Sequence, residues 1–402
     1  MSLKKQLGYL KQRNTKRASE ATPLPRSRGP VGTDLPGQRV QTPHGDVHLV
    51  DAYLEPHHCH GHAPVADALS VCTERLAQLA LDPTLEVLDM RRALFLDTET
   101  TGLAGGTGTV PFLIGVAWFE DESLRVQQLF LPELGEEAPM LQWLAERMHE
   151  RPSLVTFNGK TFDWPLLRNR FILNRLAAPP IVRHLDLLHC ARRILRPRLG
   201  SVRLVELERE VLGMWREDDV SGALIPQLYF DYLDDGETEP IAQVIEHNAN
   251  DLIALAALVA KLVSHFDDVH AEDDPRDHLA YAKVAERTGD RQRAVSFAEA
   301  AAAGGGDADC TVEAWMLAAR VARRAGSTDE EERALLEALQ AADADEVGAA
   351  VRLALAKHYE HRRKDPRQAL EHATLTEMAE GQEAAERRVA RLRRRLEREE
   401  RA

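Results

Sequence analysis

The chain has 402 residues, of which 44% are hydrophobic and 29% charged, and its formal net charge is −14. This length exceeds that of one typical domain, and the composition excludes a disordered or fibrous protein. With no apolar run of about 18 residues, no secretory signal and four scattered cysteines, we expect a cytoplasmic protein without membrane helices or disulfides.

The N-terminal segment is polar and basic, with eight Lys or Arg and one Glu in residues 1–30. Prolines and glycines from Pro23 to Pro43 favour a basic flexible arm, which we predict for residues 1–50. Residues 51–90 are predicted as a helical lead-in, because 64–82 has the apolar spacing of a short helix. Since such local charge can bind phosphates, the total of −14 excludes no nucleic-acid partner.

Residues 91–267 contain short apolar runs that are typical of strands, followed by alternating helical and strand patterns. The predicted strands include ALFLD at 93–97, VPFLIGVAWF at 110–119, LRVQQLFL at 124–131 and SLVTF at 153–157. The region closes with a long apolar-faced helix at 244–266. Three consecutive strands before this alternation predict an α/β domain, a mixed sheet flanked by helices on both faces.

From about residue 275 the strand patterns stop and alanine dominates. Three helix pairs begin near residues 278, 312 and 350, and each has a small or polar turn before its second helix. A spacing in the mid-thirties predicts an all-α domain of tetratricopeptide-like repeats at 275–381, followed by a charged tail at 382–402. An alanine-rich bundle without a true repeat is the alternative.

The first chemistry-bearing motif is DTETTG at 97–102, at the end of an apolar strand. Side chains at i and i+2 of a strand point to one face, so Asp97 and Glu99 leave the strand end together. Paired carboxylates suit hard divalent cations, which prefer oxygen ligands. The motif predicts part of a metal site, although one D-x-E pair alone occurs often by chance.

Two later motifs add carboxylates in helical contexts. In FNGKTFDWPLL, Asp163 begins a helix, where an N-cap is its alternative role. In EHNANDL, His247 and Asp251 are four residues apart and share one helical face beside a packing stripe. A carboxylate in that place needs a partner or a metal ion, and a surface histidine–aspartate pair is the alternative.

In this order the three motifs resemble those of the DEDD exonucleases, a branch of the ribonuclease-H-like fold, over roughly residues 91–265. The third motif departs from the usual H-x4-D and Y-x3-D forms, because this chain combines histidine with the shorter spacing. The stretches TTGLAGGTGTVPFLIG, FNGKTFDWPLL and HNANDL, followed by tetratricopeptide-like helices, resemble the YprB (mitomycin-repair exonuclease, MrfB) family of bacterial proteins.

The resemblance implies a 3′–5′ exonuclease that acts on DNA in lesion repair, with a repair helicase as its partner. Two divalent ions, Mg²⁺ or Mn²⁺, would be held by four carboxylates, and His247 would be the base. We expect Thr100, Thr101 and Gly102 to offer backbone groups to the terminal nucleotide, and Asn158 to orient it, although an Asn-Gly turn also explains Asn158. The predicted metal ligands are Asp97, Glu99, Asp163 and Asp251.

Three further features have structural interpretations. EPHHCHGH at 55–62 contains possible zinc ligands, but they are nearly contiguous, and a solvated turn docked near the nuclease domain is favoured. Asp186 is a tempting fifth carboxylate that we leave out, because a strand-end aspartate is often structural. Arg216 is interpreted as a surface residue, with a phosphate contact as the alternative.

Two other functions stay open. The enzyme could act on RNA, or the chain could be a repeat-based scaffold with an inactive nuclease domain. The full carboxylate set argues against the scaffold, because clustered acids repel one another unless cations hold them together. We expect the helical repeats to bind a protein partner, and positioning of duplex DNA is the alternative.

Overall fold

The structure, a computed structural model, describes residues 35–102, 108–217, 219–343 and 345–401. Residues 1–34 of the predicted basic arm (1–50) and residues 103–107 of the glycine cluster lie outside the described residues. Within the described ranges residues 35–267, which contain the predicted nuclease domain (91–267) and are called the nuclease region, are built on one sheet, and the C-terminal region is helical.

The strands are β1 Gln38–Thr42, β2 Gly45–Leu54, β3 Cys59–His60, β4 Ala63–Pro64, β5 Ala93–Thr100, β6 Pro111–Glu120, β7 Ser123–Phe130, β8 Ser153–Thr156 and β9 Arg183–Asp186. Seven of them form one sheet in the order β1-β2-β7-β6-β5-β8-β9, and β3 pairs with β4 in a small separate ribbon. Along this order, neighbouring strands are antiparallel from β1 as far as β5. Strands β5, β8 and β9 run parallel to one another, so the sheet is mixed.

The helices of the nuclease region cover both faces of the sheet. Phe95 of β5 belongs to one apolar core, and its neighbours Leu94 and Leu96 belong to the other, as the alternation of a strand requires. The predicted mixed sheet with helices on both faces is confirmed. These helices are α1 Thr73–Ala80, α2 Glu137–Glu150, α3 Asp163–Leu173, α4 Leu187–Ile194, α5 Arg196–Leu199, α6 Leu204–Leu207, α7 Ile225–Asp235 and α8 Glu239–Asp267.

The strands β1 and β2 lie where the sequence predicts a flexible arm and the start of a helical lead-in. The prediction of a flexible arm is wrong for residues 38–50, and that of a helical lead-in for residues 51–54, because β2 pairs with β7 from His48 opposite Phe130 to Leu54 opposite Leu124. Further on, the predicted lead-in does contain a helix, α1. The hydrogen-bonding partner is about 75 residues away in the chain, so no local pattern indicates it. The nuclease sheet therefore begins well before residue 91.

Helix α8 is the longest element of the nuclease region. It is long and apolar enough to cross a membrane by composition, but two thirds of its most apolar window is buried inside the protein. Its apolar side chains from Leu252 to Phe266 pack in the core that also contains Phe95. The apolarity of α8 is therefore that of a core helix, and its polar residues on the sheet side need a specific explanation.

The C-terminal region continues the same core through stacked helix pairs. Phe266, near the end of α8, stacks on Phe297 at 6.0 Å between ring centroids, so the two regions share apolar packing. The helices are α9 Pro275–Thr288, α10 Arg291–Ala303, α11 Ala308–Ala325, α12 Thr328–Ala341, α13 Glu346–His358, α14 Pro366–Ala373, α15 Glu377–Glu380 and α16 Gln382–Glu399.

Ion pairs between successive helix pairs join residues that are 34 apart in the chain. Three pairs have this separation: Arg320 with Glu286 at 2.9 Å, Arg333 with Glu299 at 2.7 Å, and Arg363 with Asp329 at 2.5 Å. Each residue thus meets one that lies a single repeat length away. This separation equals the spacing in the mid-thirties, while assignment to the tetratricopeptide class stays a prediction.

Candidate active site

A row of three residues crosses the middle of the sheet on the face covered by α8. Asp97 of β5 pairs with Gly115 of β6, which pairs with Gln128 of β7. The missing side chain of Gly115 leaves a gap between the two polar side chains. Asp97 and Glu99 follow Phe95 with period 2, so both carboxylates emerge on this face at the carboxyl end of β5.

Asn248 of α8 fills the gap above Gly115. Its Nδ2 donates to Asp97 Oδ2 at 2.7 Å, and its Oδ1 accepts from Gln128 Nε2 at 2.9 Å. A Cβ atom on Gly115 would lie 2.1 Å from Asn248 Oδ1, so only glycine permits this approach. Both ends of the fully buried amide are satisfied, and Asn248 therefore fixes the position of the Asp97 carboxylate.

Helix α8 also brings His247 and Asp251 to Glu99. One ligand atom from each of Glu99, His247 and Asp251 lies within 4.8 Å of the others, and no other such group of three occurs among the described residues. His247 Nε2 is 3.6 Å from Asp251 Oδ2 and 3.8 Å from Glu99 Oε1. The strand motif and the helix motif therefore meet at one point, as their separate contexts predict.

Asp163 approaches from the start of α3 and is buried. Its Oδ1 accepts a hydrogen bond from Thr98 Oγ1 at 2.5 Å. No side-chain cap bond is made at this end of α3, where Asp163 is the first helical residue. Asp163 is thus held by Thr98, on the strand between Asp97 and Glu99, and lies beside the group of three rather than within it.

Burial and mutual repulsion raise the pKa values of the carboxyls on β5. Desolvation is the main cause for both, and the charge of Asp251 adds most to it for Asp97. For Glu99 the largest electrostatic contribution comes from Asp97, followed by Asp251 and Asp163. These carboxyls are therefore close enough to oppose each other's ionisation.

The pKa values of the two carboxyls on helices, Asp163 and Asp251, are raised as well. Burial raises the pKa of Asp163 to about 6, although the hydrogen bond from Thr98 opposes this. Burial also raises the pKa of Asp251, against the favourable charges of His247 and Arg216. A divalent cation would offset the cost of burying all four charges, and an all-oxygen carboxylate set fits Mg²⁺ or Mn²⁺.

Arg216 lies inside the site, which corrects its interpretation as a surface residue. Its side chain is 3% exposed, and Nη2 is 2.5 Å from Asp251 Oδ1 and 2.7 Å from Glu208 Oε2. Burial opposes the charge of Arg216, but the carboxylates of Asp251 and Glu208 raise its pKa. The guanidinium therefore binds one of the predicted metal ligands directly, and no local sequence pattern predicts this.

Glu208, the second partner of Arg216, also contacts the histidine-rich segment 55–62. Glu208 begins a short π-helical turn at Glu208–Leu212, a distortion that is frequent at functional sites. Its Oε1 is 2.6 Å from Nε2 of His60, with the two side chains 0% and 2% exposed. The segment 55–62 is thus docked on the nuclease region, and its described residues form no zinc-ligand group.

Asp219 orients the imidazole of His247. The distance from His247 Nδ1 to Asp219 Oδ1 is 2.7 Å, so Nδ1–H donates to this carboxylate. Arg216 Nη1 is also 3.3 Å from Nδ1, but the shorter contact with an acceptor decides which nitrogen is protonated. A neutral ring then has its lone pair on Nε2, the nitrogen that faces Glu99 and Asp251.

The predicted substrate-contacting residues fall into two groups. Asn158 lines the cleft beside the carboxylates, whereas Thr100, Thr101 and Gly102 are not among its lining residues. Thr100 Oγ1 donates to the carbonyl of Gly102, and Thr101 exchanges hydrogen bonds with Val110, so these residues close the loop after β5. Their role toward a substrate stays a prediction.

The Asp186 carboxylate holds the unusual backbone conformation of Asn158 through hydrogen bonds. The Asn158 residue has a φ of 69°, in the left-handed region. Asp186 accepts from the backbone N–H groups of Asn158 at 2.8 Å, Lys160 at 3.1 Å and Leu188 at 3.1 Å. A buried carboxylate with three backbone donors is structural, which supports its omission from the metal set.

Comparisons with known proteins agree with this geometry. Residues 94–263 match the family described as the RNase_H superfamily. The chain is also 38% identical over 192 residues to the YprB protein of Bacillus subtilis (strain 168), an alignment that covers 47% of this chain and 46% of the relative. The chain thus spans about half the length of that relative. Residues 94–263 are thus similar to RNase_H-superfamily domains, and about half of the chain is similar to YprB.

Proposed function

We propose that this protein is a metal-dependent 3′–5′ exonuclease that hydrolyses the terminal phosphodiester of DNA, in the cytoplasm. The superfamily match supports nuclease function in general. The observation that carries the proposal is the convergence of Glu99, His247 and Asp251 within 4.8 Å, beside the electrostatically linked Asp97 and Asp163. An inactive scaffold would have no use for buried carboxylates that repel one another.

The proposal assigns separate roles to the carboxylates and the histidine. Asp97, Glu99, Asp163 and Asp251 would hold two divalent ions, Mg²⁺ or Mn²⁺. Such ions, when bound, lower the pKa of a water molecule and stabilise the leaving oxygen. His247 would accept the proton of the attacking water at Nε2, because Nδ1–H is donated to Asp219.

Two other groups would prepare the site. Asn248 holds Asp97 through a hydrogen bond that is anchored in turn by Gln128. Arg216 supplies positive charge to Asp251 from a buried position. In the proposal Asn158, Thr100, Thr101 and Gly102 contact the terminal nucleotide, and the product is a nucleoside monophosphate.

The helical C-terminal region would serve a partner rather than the reaction. Stacked helix pairs present extended concave surfaces that bind proteins. Together with the resemblance to the mitomycin-repair family, this supports a role in DNA repair with a repair helicase as partner.

The decisive experiment uses 5′-labelled oligonucleotides, which report the direction of shortening. Wild-type protein with Mg²⁺ or Mn²⁺ should convert single-stranded DNA to a ladder that shortens from the 3′ end, and an Asp97→Asn variant should not. Matched RNA and duplex substrates decide the substrate preference. Inactivity of the wild type on all substrates with both metals would refute the proposal and favour the scaffold.

A further inference from the structure

A cleft of about 650 Å³ opens beside the catalytic carboxylates. One part of its lining is formed by Asp97, Glu99 and Asp251. Another is formed by Arg192 of α4, Arg196 of α5 and the segment 200–204. Acidic and basic side chains therefore line one space, and the basic side needs a separate explanation.

Five arginines lie between residues 192 and 203, and three of them have partners. Arg193 donates to the carbonyl of Leu79, Arg198 pairs with Asp277 at 2.8 Å, and Arg203 pairs with Glu206 at 2.5 Å. These three arginines are thus engaged in holding the fold.

Arg192 and Arg196 are different. Both are exposed, and within the described ranges neither has a hydrogen-bonding or ion-pairing partner. In a chain with 65 acidic residues and 51 basic ones, two unpaired guanidinium groups on the wall of an acidic site are unexpected. Their free donors match a phosphate, which arginine binds through two parallel hydrogen bonds.

The rest of the cleft fits the bases of a single strand. Phe157 offers an aromatic side chain, and Val202 and Leu204 add apolar surface. Proteins that bind single strands combine such stacking surfaces with a positively charged groove. A volume of about 650 Å³ is that of a small-ligand pocket, sufficient for roughly one or two nucleotides.

We infer that Arg192 and Arg196 bind the phosphates of a single-stranded nucleic-acid end and lead it past Phe157 to the carboxylates. The inference rests on the proposed function, because it places the substrate in the cleft of that same site. It goes beyond that function by assigning the strand-binding cations to α4 and α5. The arginines would offset the repulsion between the carboxylates and a polyanion.

The test measures binding without relying on hydrolysis. Fluorescence anisotropy of a 5′-labelled twelve-nucleotide (dT) strand, with Ca²⁺ in place of Mg²⁺, gives Kd at several salt concentrations. For R192Q/R196Q we expect Kd to rise about tenfold or more. The slope of log Kd against log salt should fall by about 1.4, because each lost single-strand phosphate contact removes about 0.7.

Two control variants separate strand binding from a general loss of charge. R287Q/R323Q removes two exposed arginines of the helix pairs that do not line the cleft, so its Kd and salt slope should equal those of the wild type. R192K/R196K keeps the charges and should restore most of the slope. Thermal melts of all variants should coincide, because the side chains of Arg192 and Arg196 have no partner in the described part of the chain.

The outcomes distinguish this inference from the proposed function. If R192Q/R196Q binds with the wild-type Kd and slope, or if the wild type does not bind the strand, the inference is overturned. A blunt duplex of equal length that binds more tightly, with the same arginine dependence, would also overturn it. Absence of hydrolysis with Mg²⁺ and Mn²⁺ would instead overturn the proposed function, while the binding data still decide the role of the arginines.

Discussion

The two halves of the molecule arrange their charges in opposite ways. At the end of β5, four carboxyls face one another with few cations, and burial and repulsion raise the pKa values of all four. Between the helix pairs, carboxylates such as Glu286 and Glu299 each have an arginine partner one repeat away, on the surface. The first arrangement is unfavourable without a ligand, and the second is complete by itself.

This difference indicates where function lies. Exposed ion pairs contribute about 0–1 kcal/mol each and can be changed without much effect. A buried cluster of like charges stabilises nothing by itself, so it is retained for what it binds. Substitutions that change one residue of either region at a time test this difference.

The largest expected effect is on hydrolysis when Asp97 becomes asparagine. Asp97→Asn retains the size of the side chain but removes the charge that a divalent ion needs. We expect metal-dependent cleavage to fall to background and the Mn²⁺-dependent rise in Tm to shrink strongly, since a ligand stabilises the fold in proportion to its affinity. Activity near the wild-type level in Asp97→Asn would remove Asp97 from the metal set.

The second prediction concerns the base. His247→Ala should lower kcat by about 10²–10⁴-fold, because the attacking water loses its proton acceptor. The rise in Tm on adding Mn²⁺ should persist, since the four carboxylates remain. An unchanged kcat would show that His247 only packs, and Asp219→Asn should then also be without effect on kcat.

The third prediction concerns Arg216, which contacts both Asp251 of the carboxylate cluster and the buried Glu208. Arg216→Met leaves Glu208 and Asp251 without their cation, and breaking such a buried pair costs about 3–5 kcal/mol of unfolding free energy. Chemical denaturation in EDTA measures this loss. Mn²⁺ should recover more stability in Arg216→Met than in the wild type, and an equal recovery in both proteins would contradict the idea that Arg216 compensates for the missing metal charge.

A fourth prediction follows from the raised pKa of Asp163. In the metal-free protein its carboxyl has a pKa of about 6, above the ordinary value of 3.8. Its contribution to stability is therefore complete below about pH 3.8 and is lost as the pH rises through 6. Melting curves in EDTA at several pH values should show a smaller loss between pH 4 and 7 for Asp163→Asn than for the wild type. Parallel curves would mean that this carboxyl is not coupled to folding.

The smallest effect is expected in the helical half. Arg324 is mostly exposed and pairs with Glu286 at 3.0 Å, and Glu286 keeps Arg320 when Arg324 is removed. Arg324→Met should therefore change the unfolding free energy by less than about 1 kcal/mol. A loss as large as that of Arg216→Met would erase the contrast between the two regions.

The sequence predicts the parts of the site that depend on local context. Asp97 and Glu99 follow from strand periodicity, and His247 and Asp251 follow from helix periodicity. Asp163 follows from its place at a strand-to-helix junction, and the helical C-terminal half follows from its alanine-rich spacing. Each signal of the site lies within about ten residues of chain, and the helical spacing recurs along the C-terminal half itself.

The missed features depend on contacts between distant segments. Asn248 is meaningful only because Gly115 and Gln128 lie opposite Asp97 in the sheet, a register that no single motif contains. Arg216 is interpreted from the sequence as a surface residue because its partners Glu208 and Asp251 come close to it only in the folded protein. The place of β2 in the large sheet depends on its pairing with β7, which is distant in the chain. In each case the physical cause is tertiary, so local patterns could not reveal it.

Gly115 offers a way to silence the protein without altering its chemistry. An added methyl group there would meet the Asn248 amide and the Leu252 side chain, so Gly115→Ala should push α8 away from the sheet. Every carboxylate, histidine and arginine would still be present, and the net charge would be the same. Under the proposed function, such a variant would be sterically inactivated, and in cells it would separate the proposed cleavage from the proposed binding of a partner by the helical half.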